Sequence, residues 1–270
     1  MRRKTKARLT ARTADRYQLY SESVQSVDSE IAFFTRVFRQ HNGRPPRLVR
    51  EDFCGTALLC CDWVKARPGN VAIGVDLDPE PLDYCRRNYL PKLKPDEIRR
   101  VQLRRVNVLT ARTPPVDVIA ALNFSFCVFK ERPLLMRYLR RCHAALKRRG
   151  LMVMDIYGGP ESIKVAKEKT HYKGFTYVWD QAAYNPITHE ALNHIHLQFP
   201  DGTRMRRAFT YDWRLWTPAE LLDALDEAGF RHTQVYWEGT TKDGQGNGIF
   251  HPRKCVKQDP AWVAYVVGVR

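Results

Sequence analysis

Apolar residues alternate between strand-like and helix-like spacing from the start of the chain to Gly158. Short apolar runs predict five strands: PRLVRE (46–51), NVAIGVD (70–76), VQLRRVNV (101–108), VDVIAAL (116–122) and LMVMDIYG (151–158). Segments with helical spacing lie before and between them, at 29–43, 56–66, 79–90 and 133–150. In the first helix, Ser29 suits the N-cap and Gly43 the end. Strands that alternate with helices predict a doubly wound α/β fold with a mostly parallel sheet.

Beyond Gly159 polar and apolar residues alternate with a period of two. This pattern predicts three antiparallel strands at 174–185, 191–199 and 203–213, joined by turns at Asn185-Pro186 and Asp201-Gly202. A helix at 217–230 and strands at 231–238 and 261–269 follow, and a glycine-rich loop at 239–248 separates those two strands. We therefore expect a seven-stranded main sheet with an antiparallel insertion after strand 5.

The division of the chain follows from this order. Residues 1–45 are expected to form a basic tail and an N-terminal cap helix, and residues 46–270 the α/β domain. The insertion, 157–216, is too short to bury a core of its own, so we expect it to cover a substrate instead.

Charge is the feature of the composition that departs from ordinary globular usage. Lys and Arg number 45 and Asp and Glu 29, which gives a formal net charge of +16. Such a charge favours acidic partners such as nucleic acid or phosphorylated small molecules. Much of it lies on the polar face of the helix at 133–150, which is typical of a solvated surface.

Cysteine usage and hydropathy indicate the compartment. The seven cysteines form no C-x-x-C pair and lie mostly in apolar segments, which predicts reduced thiols in a cytoplasmic protein. No segment has the apolar length of a membrane span, and the Arg-rich start is expected to be a basic tail, not a transit peptide.

The stretch EDFCGTA, residues 51–57, is the first strand-to-helix turn, where such sheets bind ligands. Gly55 allows a close approach of the backbone, and Asp76 ends the next strand, where a carboxylate commonly holds ribose hydroxyls. The glycine fingerprint G-x-G-x-x-G is absent, which disfavours a nicotinamide dinucleotide. The turn therefore predicts a ribose-bearing cofactor without a diphosphate.

On these residues the sequence resembles the class I S-adenosylmethionine-dependent methyltransferases, with a Rossmann-like sheet. EDFCGTA aligns with the family's acidic, glycine-rich turn, GVDLDPEPL with its ribose-binding strand end, and LKRRGLMVMDIYGG with its fifth-strand entry. The resemblance implies S-adenosyl-L-methionine as cofactor and methyl transfer as reaction. The implied cofactor contacts are Glu51, Phe53, Cys54, Gly55, Asp76, Leu77, Asn107, Val108 and Asn123. Tyr20 and Gln25 are expected in a lid over the cofactor.

Candidates for the chemistry come from two places. Asn123, in LNFSF after the fourth strand, lies beside the expected methyl position and could orient a nucleophile. His194 and His196 point to one face of an insertion strand and are candidate bases. No third ligand lies near them, so we expect no metal. Cys54 has no visible base partner and is expected to be a packing thiol.

The methyl acceptor stays open at this stage. A small molecule, accepting at oxygen or nitrogen, is favoured because the insertion resembles the substrate cover of small-metabolite methyltransferases. RNA is the alternative, motivated by the charge, and a non-catalytic cofactor-binding scaffold is a third possibility. The sequence contains no signal for the oligomeric state.

Overall fold

The computed structural model describes residues 9–241, 243 and 246–270. The first eight residues of the predicted basic tail lie outside the described residues, as do positions 242, 244 and 245 of the glycine-rich loop. Up to Gly158 the elements are α1 (Arg16–Val24), α2 (Val27–Asn42), β1 (Leu48–Asp52), α3 (Leu58–Ala66), β2 (Val71–Asp76), α4 (Pro79–Asn88), α5 (Pro95–Arg99), β3 (Val101–Arg105), β4 (Val116–Ala121), α6 (Arg132–Ala145) and β5 (Leu146–Gly158). After it come β6 (Ala166–Tyr172), β7 (Phe175–Asn185), β8 (Glu190–Gln198), β9 (Arg204–Arg214), α7 (Pro218–Glu227), β10 (Arg231–Thr240), β11 (Gly246–Arg253) and β12 (Trp262–Val269).

The main sheet has the order β11-β10-β12-β5-β4-β1-β2-β3. Strands β1 to β5 are parallel, and β12, β10 and β11 join antiparallel at one edge. The predicted doubly wound α/β fold is confirmed, with eight strands in this sheet where seven were expected. The additional strand is β11, whose sequence GNGIFHPR lacks the period-two pattern and buries only Phe250.

A second sheet, of order β6-β7-β8-β9, forms the insertion after β5. Three of its strands match the predicted ones. The strand β6 was not expected, because AKEKTHY is polar on both faces and almost wholly exposed. All neighbouring strands of this sheet are antiparallel.

Two helices precede the main sheet. In α1, Asp15 caps the helix by accepting from the N–H groups of Tyr17 and Gln18. In α2, the helix begins at Val27 with Ser26 as N-cap, one turn before the predicted Ser29, because the buried Val27 extends the apolar stripe. Gly43 ends α2 in the left-handed conformation, as predicted.

Apolar side chains cover both faces of the main sheet. One layer packs α6 and α7 on the sheet, and the other packs α2 and α3. In β1, Arg50 and Asp52 point into the first layer, where they form a buried ion pair at 2.7 Å. The Tyr138 hydroxyl donates to Asp52 at 3.0 Å. Asp52 therefore faces the core between β1 and α6.

The seven cysteines are free thiols, six of them buried and Cys255 exposed. Within the described part of the chain, no helix combines the length and apolar composition needed to cross a membrane.

Candidate active site

The turn between β1 and α3 has an uncommon backbone. Phe53, Gly55 and Ala57 have positive φ angles of 58°, 51° and 51°. A Cβ atom added at Gly55 would meet no protein atom within 4 Å, so this side of the turn is open to a ligand. Ala57 points into the core instead and is fully buried. The turn therefore needs glycine only at position 55, because this is the position where its backbone is open to a ligand.

Asp76 connects this turn to the end of β2. Its Oδ2 accepts a hydrogen bond from the Gly55 N–H at 2.7 Å, and its Oδ1 accepts from the Asp78 N–H at 2.9 Å. A carboxylate has about four acceptor positions, so acceptor sites on both oxygens remain for two hydroxyl groups. Burial raises the pKa of Asp76 above its usual value. The half-buried carboxylate beside an open backbone fits the ribose of the expected cofactor.

The end of β3 lies next to Asp76. The Val106 N–H donates to the Asp76 carbonyl oxygen at 2.9 Å, and Asn107 follows with its side chain exposed. The Asn107 Oδ1 accepts from the Leu109 N–H at 2.9 Å and closes a turn. Leu77 is 63% exposed, whereas Val108 is buried. The predicted cofactor residues of β2 and β3 therefore lie on neighbouring strand ends.

Three carboxyl groups, which we call the carboxyl cluster, converge from α2, β1 and β5. They are Glu30, Glu51 and Asp155, each less than a tenth exposed. Burial raises the pKa of Glu30 and of Glu51 to about 8, and that of Asp155 to about 7. Asp155 raises the pKa of Glu30 further, and Glu30 that of Glu51, by repulsion between like charges. Such a cluster favours a cationic ligand, which would offset that repulsion.

Glu51 and Cys54 lie on the core side of the turn. The Cys60 thiol donates to Glu51 Oε2 at 3.2 Å. Burial raises the pKa of Cys54 well above its usual value, so it is not a ready nucleophile. Phe53 packs on Tyr138 and Phe129, with ring centroids 5.8 Å away in each case. We therefore assign Cys54 a packing role, as expected from the sequence.

The end of β4 is held against β5 by Asp155. Asn123 and Phe124 have successive left-handed backbones, with φ of 53° and 58°. Their N–H groups donate to the two oxygens of Asp155, both at 2.8 Å. Strained residues of this kind persist where the surroundings over-determine them, commonly at functional sites. Asp155 thus fixes where the Asn123 side chain lies.

Asn123 lines a cavity of about 420 Å³ between the ends of β4 and β5 and the insertion sheet. We call it the aromatic cavity, because eight ring side chains line it: Tyr20, Phe124, Tyr157, Tyr177, Trp179, Tyr211, Trp213 and Trp262. Three carboxylates, Glu161, Glu168 and Glu238, also line it, and no Lys or Arg does. Glu161 pairs with Lys164 and Glu238 accepts from the Gly248 N–H, which leaves Glu168 as the least constrained of the three.

Helix α1 closes one side of this cavity. Tyr20 lines it and packs on Phe209, with ring centroids 4.9 Å apart, and burial raises the pKa of Tyr20 to about 12. The Oε1 atom of Gln25, at the end of α1, is buried and has no hydrogen-bond partner. Of the two expected lid residues, Tyr20 lines the cavity and Gln25 does not, although Gln25 has a buried acceptor without a partner.

Two polar atoms on the insertion side are also unsatisfied. The Tyr157 hydroxyl and the Asn193 Nδ2 are buried beside one another, neither makes a hydrogen bond of good geometry, and Tyr157 lines the aromatic cavity. Asn193 shares the strand face of Ile195, which lines the cavity as well. Buried polar groups normally have partners, so these two are further candidates for ligand contacts.

His194 and His196 lie on the other face of the insertion sheet. The cavity is lined by Ile195 on β8, and alternate residues of a strand point to opposite faces. Both histidines therefore point away from Asn123, and the structure does not bring these three candidates together. Their ring nitrogens contact Thr210 and Asp180, at 2.9 and 3.0 Å.

Glu30 and Asp155 were not identified from the sequence, although each leaves a signal there. Glu30 is the acid within the apolar stripe of SEIAFF, and Asp155 is the charged residue of LMVMDIYG. A carboxyl within a buried segment costs free energy unless it has a partner or a function. Apart from Tyr20, the rings of the cavity lie on or beside strands and left a weaker signal, because aromatic residues on a strand are as common in a core. Within the described chain, no group of three or more His, Cys, Asp or Glu is arranged to hold a metal ion.

No protein-family model and no curated protein matches the sequence, but solved structures match the fold. An S-adenosylmethionine-dependent methyltransferase of Clostridium acetobutylicum has a TM-score of 0.67 at 14% identity, over 93% of this chain and 96% of that chain. The chain has the methyltransferase fold. An S-adenosylmethionine-bound amino pentose methyltransferase of Micromonospora echinaspora has a TM-score of 0.66 at 16% identity, over 95% and 97%. A sugar N-methyltransferase of Streptoalloteichus has a TM-score of 0.63 at 19% identity, over 100% of this chain and 98% of that chain. The methyltransferase fold implied by the sequence is thus confirmed.

Proposed function

We propose that the chain is an S-adenosylmethionine-dependent methyltransferase whose acceptor is an amine nitrogen of a small molecule. The observation that carries the proposal is the lining of the aromatic cavity. In a chain of net charge +16, this cavity contains three carboxylates and eight rings and no Lys or Arg. Carboxylates and aromatic faces together favour an organic cation.

The residues at the ends of β1 and β2 fit the cofactor. Asp76 has acceptor sites for the ribose hydroxyls, and Gly55 leaves the adjacent backbone open. The carboxyl cluster suits the ammonium and sulfonium groups of the cofactor. When bound, S-adenosylmethionine supplies a methyl group that is already activated for displacement, so positioning is the main task left to the protein.

The acceptor side is arranged for that task. Asn123, held in place through Asp155, points its amide into the aromatic cavity and orients the amine. An ammonium group must lose a proton before its nitrogen can react, and a cavity carboxylate such as Glu168 can accept it. The insertion sheet covers the acceptor, and His194 and His196 take no part because they face away.

Two of the similar structures agree with an amine acceptor by their names, since one is a sugar N-methyltransferase and another an amino pentose methyltransferase. The size of the cavity, about 420 Å³, suits a small molecule. RNA and an oxygen acceptor are the alternatives that the experiment must separate.

The test is transfer of a radiolabelled methyl group from S-adenosylmethionine to matched pairs of small amines and alcohols, and to total RNA. We expect label in the amines. Glu168→Gln should lower kcat/KM for an amine about tenfold or more, because it removes a carboxylate that both attracts the cation and accepts its proton. The matched control is Glu131→Gln, whose carboxylate is exposed and does not line the aromatic cavity.

Each contrary result has a meaning. Label in alcohols would overturn the amine, and label in RNA would overturn the small molecule. Cofactor binding without transfer to any acceptor would favour the non-catalytic scaffold. Calorimetry with Asp76→Ala separates the cofactor from the acceptor, because loss of the ribose acceptor should abolish most of the S-adenosylmethionine affinity. Unchanged affinity in that variant would contradict the cofactor site.

A further inference from the structure

The outer face of the insertion sheet contains a second concave region, of about 500 Å³, which we call the basic groove. Lys167 and Lys169 on β6 form one wall, and Arg204, Arg206 and Arg207 on β9 form the other. Three strand spacings separate β6 from β9, which is about 14 Å between backbones. Long cationic side chains on both walls can therefore converge on one ligand between them.

A β-bulge shapes the second wall. The pairing of β8 with β9 is irregular between Ile195 and Leu197, and Arg207 there has a φ of 50°. The Arg207 N–H donates to His196 Nδ1 at 2.9 Å. An arginine in the left-handed region costs on the order of 1 kcal/mol or more, and such strain is found where a side chain must be re-aimed. The bulge adds Arg207 to the face that Arg206 already occupies.

The floor of the groove holds this geometry. Because His196 Nδ1 accepts from Arg207, its Nε2 is the protonated nitrogen of the neutral ring and donates to Asp180 Oδ2 at 3.0 Å. Asp180 also pairs with Lys167 at 3.1 Å. Burial and the Arg207 charge lower the pKa of His194, which keeps that ring neutral. The histidines thus act as structural groups of the groove.

The charges of the groove are mostly unbalanced. Of its five Lys and Arg side chains, Lys167 pairs with Asp180. Among the described residues, we find no acidic partner within ion-pair distance of Lys169, Arg204, Arg206 or Arg207. Cations held together on both walls of a concavity, without counter-charges, favour an anion that makes several charge-assisted hydrogen bonds.

The lining also narrows the class of anion. No Phe, Tyr or Trp lines the groove, and the rings of His194 and His196 are hydrogen-bonded in its floor, so it lacks the stacking platform of the kind that single-stranded nucleic acid uses. The groove is on the sheet face opposite the aromatic cavity, so its ligand is not the methyl acceptor of the same chain. We propose that the basic groove is a binding site for the diphosphate group of a small molecule, separate from the proposed methyl-transfer site.

The experiment measures binding of inorganic pyrophosphate to the full chain by calorimetry. Arg204→Gln/Arg206→Gln should weaken the affinity about tenfold or more, because it removes two charged donors. The matched control is Arg137→Gln/Arg141→Gln, which removes the same charge from the exposed face of α6 and should leave the affinity unchanged. Both variants change exposed side chains, and their melting temperatures verify the fold.

Parallel arms separate the sources of phosphate. Inorganic phosphate should bind more weakly than pyrophosphate. Lys169→Gln, on the opposite wall of the groove, should lower the affinity for pyrophosphate. Equal binding by both double variants, or no pyrophosphate binding, would overturn the proposal. A short RNA or a phosphatidylserine vesicle that binds at the groove while pyrophosphate fails to compete would overturn it as well.

Discussion

Replacing Glu30 with Gln should make the protein more stable at alkaline pH. Burial raises the pKa of Glu30 to about 8, from an ordinary value of 4.5. Because the folded pKa is the higher one, the stability that protonated Glu30 contributes is complete below the unfolded pKa. It is lost as the pH rises through about 8. The folded and unfolded pKa values of Glu30 differ by roughly 3.5, and a pKa difference of one corresponds to about 1.36 kcal/mol. Ionised Glu30 therefore lowers the free energy of unfolding by on the order of 4 to 5 kcal/mol.

The assay is urea unfolding of wild type and Glu30→Gln, followed by tryptophan fluorescence. The stability advantage of the variant should grow by about 3 kcal/mol between roughly pH 5.5 and pH 8.5. Asp223→Asn is the control, because this carboxyl lies exposed on α7. Its difference from wild type should be the same at both pH values. A Glu30→Gln advantage that does not change with pH would refute the reasoning on the carboxyl cluster.

The cofactor adds a second arm to the same measurement. S-adenosylmethionine carries positive charge, and if that charge lies at the carboxyl cluster it stabilises the ionised carboxyls. The loss of wild-type stability with rising pH should then become smaller when the cofactor is present. An unchanged pH dependence at saturating cofactor would place its charges elsewhere.

Three further outcomes follow from the fold. Asp52→Asn leaves the Arg50 guanidinium buried without a counter-charge, and urea unfolding should show that the free energy of unfolding falls by about 3 to 5 kcal/mol. A fall of less than about 1 kcal/mol would contradict the buried ion pair. Gly55→Ala strains a left-handed position by about 1 kcal/mol and fills the open side of the turn. Calorimetry should therefore show weaker S-adenosylmethionine binding, and an unaltered affinity would contradict a cofactor contact at Gly55. Thr217→Ala removes the capping box with Glu220, and a melting curve should show a cost of about 1 kcal/mol, which an unchanged melting temperature would exclude.

The sequence predicted the strands that carry an apolar pattern and missed the two that lack one. β4 is apolar at nearly every position and buried on both faces, so its sequence pattern predicts a central strand. The strands β6 and β11 have almost no apolar side chains facing a core, and their strand form comes from hydrogen bonding to β7 and β10. Tertiary pairing of this kind leaves no periodic pattern in the chain.

The candidate site was predictable where the backbone determines it. Gly55 and Asp76 follow from a turn and a strand end, and the structure brings them within one hydrogen bond. The period of two correctly placed His194 and His196 on a common face. It could not say which face of the insertion sheet turns towards Asn123, because that depends on how the two sheets pack. The Asp155 contacts with β4 are likewise contacts between elements distant in the sequence.

The ion pair inside β1 has a consequence for how the chain finds its fold. Glu51 points towards α2 and α3, whereas Arg50 and Asp52 point towards Tyr138 on the other layer. A slip of β1 by one residue against β2 and β4 would exchange the two sets, because strand side chains alternate. It would carry the Arg50–Asp52 pair to the layer of α2 and α3, away from the Tyr138 hydroxyl that donates to Asp52, and would place the Glu51 carboxyl in the layer of α6, away from the Cys60 thiol. The strand that positions the glycine turn is thus protected against misregistration by the charges it buries.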